Sequence, residues 1–288
     1  MKLCRFGPRG GEKPGLIDGS GSIRDLSGVI ADLGPAELSS MSLQRLRDLD
    51  VQSLPLVSSN VRLGVPVAHI PQIVAIGLNY ADHAAEAGLP IPEEPAMFMK
   101  SISSLNGPFD EVMLPRHSQH SDWEVELGFF IGKTARYVDE AQALDHVAGY
   151  CVVNDVSERF NQMQRGSQWS KGKGSDTFCP VGPWLVTPDE VADPGNLAMH
   201  LDLNGRRMQT GNTRTMIFNV RQIVAYASRF VTLHPGDLIT TGTPPGVGQG
   251  IKPQPIYLKP GDQMRLGIEG LGEQAQTVVA WRHVESEA

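Results

Sequence analysis

A chain of 288 residues can bury one large hydrophobic core, or one core with a small satellite, and its 20% charged residues and net charge of -7 describe a mildly acidic surface. That balance, with no basic run interleaved with aromatics, lacks the counterion-releasing patch of a nucleic-acid binder, and no nucleic-acid partner is expected. No apolar run reaches the ~18 residues that cross a bilayer, Met1–Pro8 has no signal-peptide core, and Cys4, Cys151 and Cys179 show no metal spacing, so no membrane association and a reducing, cytoplasmic home are expected.

Lys2 to Phe6 reads as a short strand, residues 15–26 as a hairpin with a Gly-rich turn, and residues 42–50 as a helix with Leu43, Leu46 and Leu49 on one face. This is too little core for independence. A small amino-terminal domain, 1–65, is expected to pack on a catalytic domain, 66–288, with the Pro-containing stretch 54–66 as linker. Ile73–Gly77 is an apolar strand, and Asn79 to Ala87 a short helix that Gly88, Pro90 and Pro92 end. His83 and Glu86 share one face of it. They are either an exposed polar pair or a carboxylate that holds an imidazole ready to take a proton. Residues 98–100 read as strand, with Lys100 turned to solvent or to the carboxylates that follow.

In Ser121–Gly132, strand alternation puts Glu124 and Glu126 on one face and Trp123, Val125 and Leu127 on the other. A solvated strand tolerates two adjacent like charges. Beside a run as apolar as Leu127–Ile131, carboxylates need a cation to stay charged, and a hard divalent ion suits them. Residues 139–146 form a short amphipathic helix. The valine-rich strand from Gly149 ends in Asn154-Asp155, so Asp155 is either a turn residue or a third carboxylate at a strand end. Three carboxylates without Cys or paired His favour Mg or Mn over Zn.

Ser157 reads as the start of a polar helix carrying Arg159 and Gln162 three apart. Its surface is either solvated or offers the arginine fork to a substrate carboxylate. A glycine-rich stretch, Trp169–Pro180, carries Lys171 and Lys173, and 183–187 is again strand-like. Asn204-Gly205 between strand-like arms predicts a hairpin, and Asn219 with Gln222 caps a helix to Phe230. The strand 238–241 delivers Thr243 in Thr-Gly-Thr-Pro-Pro-Gly, where glycines allow close backbone approach and the hydroxyl can donate to a carboxylate. No Gly-Lys-Ser/Thr follows, so it is not a P-loop. Strands at 263–269 and 273–280 end the chain. Strands outnumber helices without regular alternation, against a doubly wound or (β/α) barrel fold.

Five segments, Gly77-Leu-Asn-Tyr-Ala-Asp-His-Ala-Ala-Glu86, Asp122-Trp-Glu-Val-Glu-Leu127, Val153-Asn-Asp-Val-Ser-Glu-Arg159, Lys173-Gly-Ser-Asp-Thr-Phe-Cys-Pro180 and Thr241-Gly-Thr-Pro-Pro-Gly-Val-Gly248, occur in the order of the fumarylacetoacetate hydrolase superfamily, which the chain resembles over about residues 70 to 280. The resemblance implies an α+β, mostly β, mixed β-sandwich roll assembled as a homodimer, and Mg2+ or Mn2+ on Glu124, Glu126 and Asp155. It further implies His83 and Glu86 on a lid, Lys173 as the active-site lysine, and Arg159, Gln162 and Thr243 near the substrate; Lys171 has no counterpart. The opening Met1-Lys2-Leu3, the segment Trp169–Gly174 and the ending Gly267–Glu273 look most like the bacterial sugar-acid branch, hydrolases of 2,4-diketo-3-deoxy-L-rhamnonate or its L-fuconate analogue that yield pyruvate and lactate, often labelled ureidoglycolate lyase. Rival readings are an acylpyruvate hydrolase or oxaloacetate decarboxylase using the same enolate chemistry, a true ureidoglycolate lyase releasing urea, and a metal-stabilised binding protein without turnover.

Overall fold

Alternation along one central strand sets the architecture of the chain, whose residues 1–283 the computed structural model describes; 284–288, the end of the expected catalytic domain, lie outside the described residues. In Val125–Ile131 the side chains of Val125, Leu127, Phe129 and Ile131 enter one core and Phe130 another. A strand buried on both faces needs a layer over each.

Among the described residues the strand lies within a ten-stranded mixed sheet, in spatial order Ile23–Asp25, Lys13–Ile17, Lys2–Phe6, Cys179–Val186, Val147–Asn154, Val125–Ile131, Leu238–Thr240, Ile73–Gly77 and Ala96–Lys100, with Leu105–Asn106 pairing off Cys179–Val186. Over one face lies a five-stranded sheet ordered Arg206–Asn212, Ala198–Leu203, Gln263–Ile268, Gly272–Val279 and Val112–Met113. Its Leu201, Leu203, Met264, Leu266 and Ile268 close the first core against Leu127, Phe129 and Val152. The arrangement is the mixed, mostly β sandwich that the resemblance implies, with short helices α1 (Ser40–Arg47), α2 (Ala81–Ala87), α3 (Arg159–Gln164), α4 (Ser170–Lys173) and α5 (Val220–Phe230) at its edges.

The other face of the large sheet is covered by the amino-terminal segment. Leu3, Leu16, Leu26, Leu33, Leu43 and Leu46 pack with Phe130, Cys151 and Val153 in the second core, each burial contributing roughly 1.5–3 kcal/mol. The same segment continues the sheet, with Leu3 opposite Leu185, so residues before 65 share both hydrogen bonds and core with those after it.

Local signals carried over where chain chemistry is self-contained. Asn219 and Gln222 form the reciprocal cap of α5, and Asn204 and Gly205 take φ of 52 and 78 in the hairpin turn. Two expectations need correction. Residues 140–146 wind as a 3-10 helix. Ser157 starts no helix: its hydroxyl donates to Asp155 O at 2.8 Å, and Ser157–Glu158 pairs as a strand with Ser121–Asp122. The cap of α3 is Glu158, whose carboxylate accepts from Asn161 N at 2.6 Å.

Candidate active site

Register brings the three sequence-predicted carboxylates together. Val153 lies opposite Glu126 and Asn154 opposite Val125, and the Asp155 N–H donates to Glu124 O at 2.9 Å. Asp155 therefore faces the same side as Cys151 and Val153, and Glu124 and Glu126 the same side as Phe130, because strand side chains alternate. The face that carries apolar groups under the amino-terminal leucines carries carboxylates at its other end. Oxygens of Glu124, Glu126 and Asp155 all lie within 4.8 Å of one another, and all three residues are buried. Between them and the core, Gly128 leaves no room for a side chain: a Cβ would stand 2.5 Å from Val153 Cγ2.

Buried cations answer this charge. Lys173 Nζ lies 2.6 Å from both Glu124 Oε2 and Asp155 Oδ2. Lys100, its side chain fully buried, reaches Asp155 Oδ1 at 2.5 Å and donates to the carbonyls of Lys173 and Phe178 at 2.5 and 3.2 Å. Arg159 spans Asp122 and Glu124, with Nη2 at 2.7 and 2.8 Å, while its Nη1 donates to Gln162 Oε1 at 3.1 Å. Burial pushes the Glu124 carboxyl up, but the Lys173 and Arg159 charges prevail and hold it at about 2. Glu126 goes the other way: burial, then Asp155 and Glu124, raise it well above an ordinary glutamate. Burial lowers the Lys173 ammonium, yet Asp155 and Glu124 more than compensate and it stays charged. With Asp122 included, four carboxylates meet three cations. The crowding of acidic groups that raises Glu126 and the hard oxygen donors fit a divalent Mg or Mn held by Glu124, Glu126 and Asp155.

A cavity of ≈ 360 Å³ opens over this cluster, and His83 and Glu86 on α2 also line it. His83 Nδ1 lies 3.1 Å from Glu86 Oε2, and Glu86 in turn accepts from the Gly246 N–H at 3.1 and 3.2 Å. That chain of contacts fixes the ring and leaves Nε2 for a molecule in the cavity. Asp122 anchors the same turn by accepting from Gly248 N and Gln249 N at 2.6 and 3.0 Å.

All nine sequence-selected residues thus gather at one place, with Lys171 exposed outside it and its Nζ on Arg165 O. Two of them are engaged differently from expectation. The Arg159 fork is closed on Asp122, because pairing of Ser157 with Asp122 sets that carboxylate beside the start of α3. Thr243 Oγ1 donates to Val125 O at 2.9 Å and accepts from Gln209 Nε2 at 2.8 Å, so its proton is used within the protein. Sequence reasoning missed Asp122 and left Lys100 open. Met97 and Met99 pack on the first core, and that parity alone turns Lys100 to the carboxylate face. Trp169 was also missed; it walls the cavity and lies where a Cβ on Gly77 would be, 2.1 Å from Cζ3.

Residues 72–279 match the fumarylacetoacetate (FAA) hydrolase C-terminal family. The chain is 66% identical over 287 residues, 100% of this chain and 99% of the other, to a 2,4-didehydro-3-deoxy-L-rhamnonate hydrolase from Sphingomonas sp. (strain SKA58). Among solved structures it resembles fumarylacetoacetate hydrolase from Exiguobacterium antarcticum, with a TM-score of 0.85, 36% identity and coverage of 98% of this chain and 100% of that one. It also resembles maleylpyruvate hydrolase from Sphingobium sp. SYK-6 in complex with manganese(II) and pyruvate, with a TM-score of 0.81, 33% identity and the same coverage. The order of the motifs, the sheet architecture and these matches place the chain in the fumarylacetoacetate hydrolase family.

Proposed function

We propose that this protein is a divalent-metal-dependent hydrolase that splits the C3–C4 bond of 2,4-diketo-3-deoxy-L-rhamnonate, or its L-fuconate analogue, into pyruvate and lactate. The observation that carries the reading is a glutamate-held imidazole lining the same cavity as Glu124, Glu126 and Lys173, with Asp155 buried against that carboxylate pair. Identity of 66% over the whole chain to the Sphingomonas rhamnonate hydrolase supports the substrate, and manganese with pyruvate in the maleylpyruvate hydrolase supports both the ion and the keto-acid end.

Glu124, Glu126 and Asp155 hold the ion, Mg2+ or Mn2+, which when bound supplies a Lewis acid for the 2-keto-acid oxygens. His83 Nε2 takes a proton from water as that water adds to the C4 ketone, and Glu86 steadies the imidazolium that forms. The C3–C4 bond then breaks with its electron pair moving to C3 and into the 2-keto oxygen, while C4 leaves as the carboxyl of lactate. Lys173, kept charged by its neighbours, steadies the enolate oxygen until C3 is protonated to the methyl of pyruvate. Arg159, Gln162 and Thr243 form the wall against which the keto acid lies. Gln162, its oxygen engaged by Arg159, turns its amide donors to the ligand. The reading includes a homodimer in the cytoplasm, with residues 66–288 as the catalytic unit and 1–65 as the cover of its sheet. Among the described residues no helix is long and apolar enough to cross a membrane.

The test is turnover of 2,4-diketo-3-deoxy-L-rhamnonate with Mg2+ or Mn2+ and identification of both products. His83→Ala should cut the rate by about 10²- to 10⁴-fold while metal content is retained, whereas Glu124→Ala should lose the metal and the activity together. Near wild-type hydrolysis by His83→Ala would refute the water-activating role. Carbon dioxide from oxaloacetate, or urea from ureidoglycolate, without diketo-acid cleavage would replace the assignment.

A further inference from the structure

Lys252 is a cation of the cavity that the chemistry above does not use. It lines the cavity with Arg159 and Lys173, but those two are ion-paired with Asp122, Glu124 and Asp155 at the keto-acid end. Lys252 is exposed and has no hydrogen-bond or ion-pair partner among the described residues. Its position in the cavity follows from its anchors. The Gly248 and Gln249 N–H groups are fixed on Asp122, and the Ile256 N–H returns to Gly248 O at 3.0 Å. Gly250, two residues before Lys252, abuts Glu86: a Cβ there would stand 3.0 Å from its carboxylate. The lysine therefore enters from the His83–Glu86 side, where the atoms beyond C4 of a diketo acid lie when its keto-acid end is at the carboxylate trio.

We propose that Lys252 is a specificity-determining residue that selects substrates whose distal fragment carries oxygen, donating a charge-assisted hydrogen bond to the C5 hydroxyl of the sugar acid or to a carboxylate in that position. Its orientation rests on the reading of the site given above. Apolar Leu78, Leu89 and Met163 line the same cavity and accommodate an alkyl tail without distinguishing it by polarity. An ammonium without a protein partner provides the discrimination, since a hydrogen bond to a charged group is worth roughly ten- to a hundredfold in affinity.

The experiment pairs ligands that differ at that position only. Calorimetry with Mg2+ present compares 2-oxoglutarate with 2-oxohexanoate. Turnover compares 2,4-diketo-3-deoxy-L-rhamnonate with 2,4-dioxohexanoate, which lacks the C5 hydroxyl. The wild type should prefer the oxygen-bearing member of each pair by about tenfold or more; Lys252→Met should bring both ratios toward one, and Lys252→Arg should restore most of the preference. A misfolded variant would lower both members of a pair together, so the ratio separates recognition from damage. No wild-type preference, or a preference that survives Lys252→Met, overturns the inference. A Lys252-dependent binding preference without wild-type turnover of either diketo acid would sustain it and overturn the proposed reaction instead.

Discussion

Replacing Lys100 by Met keeps the length of a fully buried side chain and removes its charge. Three oxygens lose their donor: Asp155 Oδ1, Lys173 O and Phe178 O. Breaking a buried ion pair costs about 3–5 kcal/mol; Asp155 keeps Lys173 on its second oxygen, so the lower end applies, about 3 kcal/mol. Two carbonyls stripped of a charged donor add roughly 1 kcal/mol each. The sum, about 5 kcal/mol, corresponds to a fall of roughly 10–20 °C in Tm for a chain of this size. Thermal unfolding followed by circular dichroism, in chelator and again with Mg2+, measures it against Lys171→Met, an exposed control expected within about 0.5 kcal/mol of wild type. The loss should be smaller with Mg2+, which restores a positive charge next to Asp155. A Lys100→Met protein melting within about 3 °C of wild type in chelator, that is, costing only about 1 kcal/mol, would refute the claim that this lysine holds the carboxylate cluster together.

Glu126→Gln should raise the melting temperature in chelator, because it removes the carboxylate that burial, Asp155 and Glu124 disfavour, yet lower the gain produced by added Mg2+; a fall in chelator would contradict this. Asp237 tests pH dependence away from the site. Burial outweighs the hydrogen bonds from Gln72 and His234 and holds its carboxyl above the ordinary 3.8. A raised acid contributes its stability in full below the unfolded value and loses it as pH rises through the folded one, so from about pH 4 upward the wild type should weaken relative to Asp237→Asn. Parallel stability curves for the two proteins would count against it. Gly77→Ala should push the Trp169 ring off its seat, changing tryptophan fluorescence, costing about 1–3 kcal/mol and lowering turnover; unaltered fluorescence and activity would show that the ring has room to spare.

How far the site could be read from the sequence follows from how local its causes are. Glu124 and Glu126 share a face by strand period alone, and Asp155 follows an apolar run, so the trio was readable without a fold. The Asn219–Gln222 cap and the Asn204-Gly205 turn are closed by residues three or fewer apart and were equally legible. Lys100 on Asp155, Arg159 on Asp122 and Trp169 on Gly77 join residues 55, 37 and 92 apart. Such partners are decided by sheet register and loop packing, which no local pattern carries. Ser157 misled for the same reason: its residue type suits a helix cap, but strand pairing with Asp122 took the position first.

The shared parity of Phe130, Glu126 and Glu124 makes the strand between them intolerant of a one-residue change in length. One residue inserted after Gly128 would turn either the carboxylates toward Leu201 and Leu266 or Phe130 away from the amino-terminal leucines, since a one-residue slip inverts every side chain beyond it. Folding and chemistry are therefore locked to one reading frame in this strand, and deletions or insertions here should abolish soluble expression before they can alter catalysis. Lys252, at the end of the turn that Asp122 and Glu86 hold in place, carries no such double duty. Laboratory evolution of substrate range would accordingly find its freedom in the residue at position 252, while the carboxylate strand offers none.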